Sequence, residues 1–218
     1  QAPARWEIEG GFTNNYTANP RLELSGGYGR TELDGYDLFF RSEVQARVGD
    51  RIGLAINPWY WHGVDALQYI GSRDSADLTG TYGHAYIFSR IERSELAVQF
   101  RVSYFFTPDL SLEVYAEPFA ASGRYYDEGI LARPRTNELI PTGEPPTAGD
   151  FGYQSFRSNL VLRWEFLPGS TAFLVWQRNL DDDLHSGRLA RPAYLLDSFG
   201  ARGSDFLGLK VSYWIPVT

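Results

Sequence analysis

The sequence predicts an all-β protein: an antiparallel, up-and-down transmembrane β-barrel of about 10–12 strands. Residues 1–218 form one barrel domain, complete or part of a larger barrel. Three observations predict it. First, apolar and polar residues alternate over runs of more than ten positions, which is the period of a strand with two unlike faces. Second, these runs exceed the five or six residues of an average strand and reach the roughly nine to eleven that a tilted strand needs to cross a bilayer. Third, the connections divide into very short turns and long loops. Strand alternation sends the two kinds to opposite ends, as in outer-membrane barrels.

The hairpin over Ser94–Ser122 carries the clearest pattern. Leu96, Val98, Phe100, Val102, Tyr104 and Phe106 share one face of its first run, opposite Glu95, Gln99, Arg101 and Ser103. After a Thr107-Pro108-Asp109 turn, Leu110, Leu112, Val114 and Ala116 alternate with Ser111, Glu113, Tyr115 and Glu117. Proline fixes φ for the reversal without costing a ladder hydrogen bond.

The other elements follow in order. Arg5–Tyr16 reads as the first strand and Thr17–Pro20 as a turn. Arg21–Arg30 returns, and Thr31–Gly35 connects to Tyr36–Val48. Gly49-Asp50 suits a two-residue hairpin turn into Arg51–Trp61. Asp65–Ile70 reads as a separate short strand, Ser72–Tyr82 as a polar loop, and Gly83–Ile91 as extended. Gly123–Tyr153, rich in proline and glycine, reads as a long loop. Phe156–Phe166 and Thr171–Arg178 flank a Pro168-Gly169 turn. Asn179–Ser204 reads as a second long loop before Asp205–Ile215. Helical periodicity is absent. The strand count is eleven, although bacterial single-chain barrels have even numbers.

Apolar residues are placed against lipid, and the polar face lines the lumen. Its charged residues are Arg41, Glu43, Arg47, Arg101, Glu113, Glu117, Arg157, Arg163, Glu165 and Lys210. Their mixed signs favour a plugged or ion-paired lumen over a strongly selective pore. The competing layout is a soluble or secreted β-sandwich, apolar face on a core and polar face in water, binding carbohydrate through exposed Trp and Tyr.

Composition narrows the function. Net charge is −7 with no basic run, which argues against nucleic acid. There is no cysteine, hence no disulfide framework or thiolate metal site. No apolar run is long enough for a membrane-crossing helix. Aromatics reach 16%, in keeping with girdles at two membrane interfaces. No leader segment is visible; Gln1 reads as a mature N-terminus or an internal cut.

Catalytic readings are weak. Asp181-Asp182-Asp183 has the carboxylates a calcium ion likes but not EF-hand spacing, and reads as an acidic loop tip. His62, His84 and His185 are scattered and read as loop or girdle residues. Glu113 and Glu117 imitate a glycosidase pair with nothing else in support. No phosphate loop or nucleophile elbow occurs, and Gly26-Gly27-Tyr28-Gly29 lies inside a strand pattern. No enzymatic activity, cofactor or metal is expected.

Phe105–Tyr125 (FFTPDLSLEVYAEPFAASGRY) and Phe156–Gln177 (FRSNLVLRWEFLPGSTAFLVWQ) resemble the C-terminal region of a group of bacterial proteins. Those proteins carry a family-9-type carbohydrate-binding module ahead of a domain of unknown function. DALQYI at Asp65–Ile70 and DFLGLKVSYW at Asp205–Trp214 resemble further landmarks of that region. Gly208, Val211, Tyr213 and Ile215 also resemble the terminal assembly signal of outer-membrane barrels, from which Pro216-Val217-Thr218 departs. The resemblance implies an outer-membrane β-barrel of unsettled role. The module itself is absent, so no sugar-binding residue is carried over. The expected role is a membrane anchor or scaffold, or a narrow porin-like passage, with lipid as partner and a glycan-handling protein or upstream domain beside it.

Overall fold

The computed structural model describes residues 3–184 and 187–215. Ten strands run through it: β1 (Arg5–Thr13), β2 (Arg21–Thr31), β3 (Tyr36–Val48), β4 (Ile52–Asp74), β5 (His84–Thr107), β6 (Leu110–Leu131), β7 (Leu139–Pro141), β8 (Phe151–Leu167), β9 (Ser170–Leu184) and β10 (Arg202–Ser212). They form one antiparallel sheet in the order β1-β2-β3-β4-β5-β6-β8-β9-β10, with β7 paired to β6 off this path. The sheet is open: β1 and β10 are its two free edges.

The turns between β3 and β4, β5 and β6, and β8 and β9 are short and share one end with the β1–β2 connection. All other connections leave from the opposite end. Pro108-Asp109 and Pro168-Gly169 are two-residue turns, and Gly169 has φ +77°, a conformation glycine adopts without a Cβ clash. The β3–β4 turn is one residue longer than expected, since Val48 and Ile52 are the last pair.

Four sequence-based expectations are corrected. Asp65–Ile70 is not a strand of its own but the upper part of β4, and Gly83–Ile91 continues into the hairpin as β5. Register shifts between Asp65 and Gln68 and between Tyr69 and Gly71 break the alternation there without ending the ladder, as a bulge does. About half of the Gly123–Tyr153 segment is strand: β6 runs on to Leu131, β7 pairs with it, and β8 starts at Phe151. The Asn179–Ser204 loop is likewise shortened by β9 and holds a helix, α1 (Pro192–Asp197), whose six residues are too few to show a period.

The two faces of the sheet differ sharply. One row of paired positions reads Leu54, Val102, Val114, Leu160, Trp176 and Leu207, preceded on β3 by Ala46. The adjacent row, on the other face, reads Gln45, Ala55, Arg101, Tyr115, Asn159, Gln177 and Phe206. The sheet curls toward this polar face. Residues of five consecutive strands, from Glu23 on β2 to Phe119 on β6, line a single hollow there. Arg5 on β1 also reaches over β2 to Asp37 on β3 at 3.0 Å.

No second sheet covers the convex apolar face: among the described residues, the backbones of the strands pack only beside their sheet neighbours, and α1 lies on β5, β6 and β8. Even on interior strands Phe40 is 45% exposed and Ile56 41%. Among the described residues the largest fully buried side chains are serines, and the buried apolar cluster is Ala120, Ala190 and Leu195. A water-soluble domain of this length would bury many Leu, Ile and Phe side chains.

The apolar residues form a slanted band. On β5 it spans Leu96–Phe106 and gives way loopward to Ser94 and Glu92. Its loopward limit on β1 is Trp6, whose row crosses Arg30, Tyr36 and Val64 to meet Glu92 on β5. On β10 the limit is Leu207, whose row meets Val102. Over the eight steps from β1 to β10 the limit thus descends ten positions, from Glu92 to Val102.

Candidate functional site

The concave face is the candidate site. Strand alternation puts all ten charged residues expected in a lumen on it. Arg41, Glu43 and Arg47 lie on β3 in the frame of Gln45, and Arg101 pairs with Ala55. Glu117 faces Arg157, and Lys210 pairs with Phe173, which pairs with Arg163. Glu113 and Glu165 keep the same frame on β6 and β8.

The middle of this face is an aromatic and polar floor around a hollow of 440 Å³. Phe39 stacks on Trp59 at 6.0 Å between centroids, and the Arg41 guanidinium lies 5.0 Å from the Trp59 ring. Trp59 is therefore occupied by its own neighbours. Arg101 lies over Tyr115 at 5.2 Å. Glu117 accepts from Gln99 Nε2 at 2.7 Å and from the Tyr115 hydroxyl. Arg163 donates to Glu165 at 2.9 Å. Charges on this face are thus held by near neighbours, each pair or cation–π contact adding about 1 kcal/mol or less where water reaches it. The side-chain oxygens of Asn57 and Asn159 are buried on this face without a hydrogen-bond partner.

A second hollow, of 560 Å³, opens at the loop end. Arg5, Thr31 and Leu33 from the β1–β3 side line it together with Arg135, Thr136 and Asn137 from the β6–β7 connection. That connection leans over the concave mouth. Arg93 lies over Trp61 at 5.3 Å on its floor.

The structure also places the residues of several chemical readings. Asp181, Asp182 and Asp183 belong to β9 and pair with Ser155, Gln154 and Tyr153; they are not a loop tip. Alternation sends the middle carboxylate to the opposite face from its neighbours. No group of three or more metal-type ligands occurs among the described residues. Glu113 and Glu117 share a strand face with backbones about 13 Å apart at 3.3 Å per residue, and Glu117 is engaged by Gln99 and Tyr115.

His62 and His84 do not converge. His62 sits 3.2 Å from Glu92, which also pairs with Arg124 at 2.7 Å, on the convex side just above the apolar band. There it packs edge-on against Tyr36. His84 pairs with Asp74 at the loop end. His185 lies outside the described residues.

Trp59, Phe39, Tyr115, Gln99 and Asn57 are the site residues that a search for charges overlooks. The signal for them was present, because they occupy the inward parity of strands whose outward residues are apolar.

The architecture defines a class: a single open antiparallel sheet, curled around a polar face and apolar on its outside. Residues 1–218 match the family described as a domain of unknown function, DUF5916. The chain belongs to that family. No curated protein and no solved structure matches it.

Proposed function

We propose that this chain is wall of an outer-membrane β-barrel, acting as an anchor or scaffold around a narrow, partly plugged passage. The observation that carries the reading is the inverted layout: polar residues fill the concave side, while an apolar band faces outward with no second sheet over it and only the 187–200 segment at its loopward edge.

The dimensions of the band support it. Ten positions of descent over eight strand steps is about 1.2 residues per strand. With about 3.3 Å per residue and 4.8 Å between strands, a level plane then cuts the strands at a tilt of about 40°, within the 35–45° of membrane barrels. The eleven positions Leu96–Phe106 run about 36 Å along β5, or about 27 Å measured across that plane, close to the roughly 25 Å apolar height of outer-membrane barrels. Aromatic residues edge the band on both sides. Trp6, Tyr28 and Tyr36 form a chain of ring contacts at its loop edge, and Tyr104–Phe106 and Trp164–Phe166–Tyr213 do so at its turn edge. The short turns then face the periplasm and the long connections the exterior.

The nine strands of the main path alternate in direction, so β1 and β10 run the same way. An antiparallel ring is completed by an odd number of further strands between them. The leaning β6–β7 connection and the neighbour-held charges favour a constricted lumen over a wide pore. A glycan-handling partner belongs to the proposal on the sequence resemblance alone. The soluble β-sandwich reading requires a second layer over the convex face, and none of the described residues supplies one.

The test is fractionation of cells expressing the natural protein. Extraction only by detergent, with a gel mobility that shifts on heating, supports the reading. A protein that stays in buffer without detergent overturns it. Conductance in planar bilayers then separates a passage from a plug.

A further inference from the structure

One segment lies on the convex face instead of over the hollow. Residues 187–200 leave the loop end, cross the outer surface of β5, β6 and β8, and rejoin the sheet at β10. The Ala190 amide donates to Ser94 Oγ at 2.7 Å, and Ser94 is hydrogen-bonded to Ser122 at 3.0 Å. Ala190 and Leu195 close over Ala120, with Leu96, Val98 and Tyr194 packed around them. Phe199 lies 4.4 Å from Phe156 between centroids. The polar anchors are therefore loopward and the apolar contacts bandward: Ser94 precedes Leu96 along β5, and Ser122 follows Ala120 along β6.

The outer surface of the segment has the same gradient. Arg188 and Arg191 share a hollow with Glu92, Arg124 and Asp150, all on the loop side. Leu196 and Phe199, further along, are 70% and 49% exposed. Exposed apolar residues carry no meaning singly. Here they continue the apolar band at its loopward edge, where the strands themselves turn to serine and glutamate. A segment with arginines ahead of its short helix on the wet side, and with Leu196 near the helix end and Phe199 just beyond it on the apolar side, fits a lipid–water boundary.

We propose that residues 187–200 form an interfacial strap, with Leu196 and Phe199 seated in the outer lipid–water boundary. The strap extends the apolar belt by one element over β5, β6 and β8 and ties the outer wall to the leaflet. The inference rests on the membrane reading above.

The chain contains no cysteine, which makes single-site labelling simple. Leu196→Cys, Val102→Cys in the band and Glu144→Cys in an exposed loop are each labelled with an environment-sensitive fluorophore. The protein is then reconstituted into phosphatidylcholine vesicles carrying a spin label either at the headgroup or at mid-chain. The strap predicts headgroup-label quenching at position 196 at least about twice that at position 144, with position 102 quenched by the mid-chain label. If position 102 is quenched while 196 matches 144, the strap is overturned and the membrane reading stands. If 102 and 196 both match 144, the membrane reading falls and takes the strap with it.

Discussion

Replacing Val102 with arginine probes the outer surface directly. Val102 lies on the convex face, in the row that also holds Leu54 and Val114. It sits one position from the middle of Leu96–Phe106, about 2.5 Å from the midplane at a 40° tilt. An arginine on the lipid face of a barrel costs about 2–4 kcal/mol near the midplane and about 0–1 near either interface. Val102→Arg should therefore lower the folding equilibrium in vesicles by roughly 30- to 1,000-fold, at about 1.4 kcal/mol per decade. Leu96→Arg, at the edge of the band, should lose roughly fivefold or less. Ser103→Arg, one residue on but facing the hollow, should cost under about 0.5 kcal/mol. The assay is urea-dependent folding into lipid vesicles, followed by heat-modifiable mobility. If Val102→Arg and Ser103→Arg cost the same, the convex face meets water and the reasoning fails. A flat profile along Leu96, Val98, Phe100 and Val102 would also refute it, because depth is what sets the penalty.

Other predictions test separate contacts. Gly169→Ala forces a side chain into φ +77° with Trp214 Cβ 3.2 Å from the new methyl. The β8–β9 hairpin should lose about 1 kcal/mol or more, read as a lower urea midpoint. Ser94→Ala removes the acceptor of the Ala190 amide. Amides of 187–200 should exchange about tenfold faster while β5 and β6 stay protected, reflecting roughly 1–3 kcal/mol for an orphaned donor. Glu117→Gln weakens two hydrogen bonds to a charged acceptor and should cost about 1–2 kcal/mol without altering detergent extraction. In the isolated chain, outward-facing amides of β1 and β10 should exchange fastest of all strand amides, and pairing with further strands should slow them.

The hairpin of β5 and β6 was legible because nothing interrupts its alternation between Ser94 and Ser122. Parity alone also assigned all ten charged residues to one face. What the sequence hid were the places where a ladder survives a broken pattern. The Asp65–Gln68 bulge shifts the register of β4 and mimics a strand end. Glycine likewise suggested a loop at Gly123, yet β6 continues there, with Phe151 of β8 lying over the position a Cβ would take. The two merged strands removed two boundaries together, which is why the sorting of short turns from long loops survived a wrong count. Alternation separates the two faces without fixing the direction of curl, which was expected toward the polar face from strand length and loop sorting. The curl emerges from contacts that skip a strand, such as Arg5 with Asp37.

The slant of the band has a consequence for size. In the proposed barrel, strands about 4.8 Å apart and tilted by about 40° would each occupy about 6.3 Å of circumference. Nine of them span about 57 Å, the girth of a cylinder about 18 Å in backbone diameter. These nine form an open sheet, so a barrel completed as proposed would be broader than that. Beyond eight strands, wall side chains alone no longer fill such an interior, and solvent or inward-leaning connections must occupy the remainder.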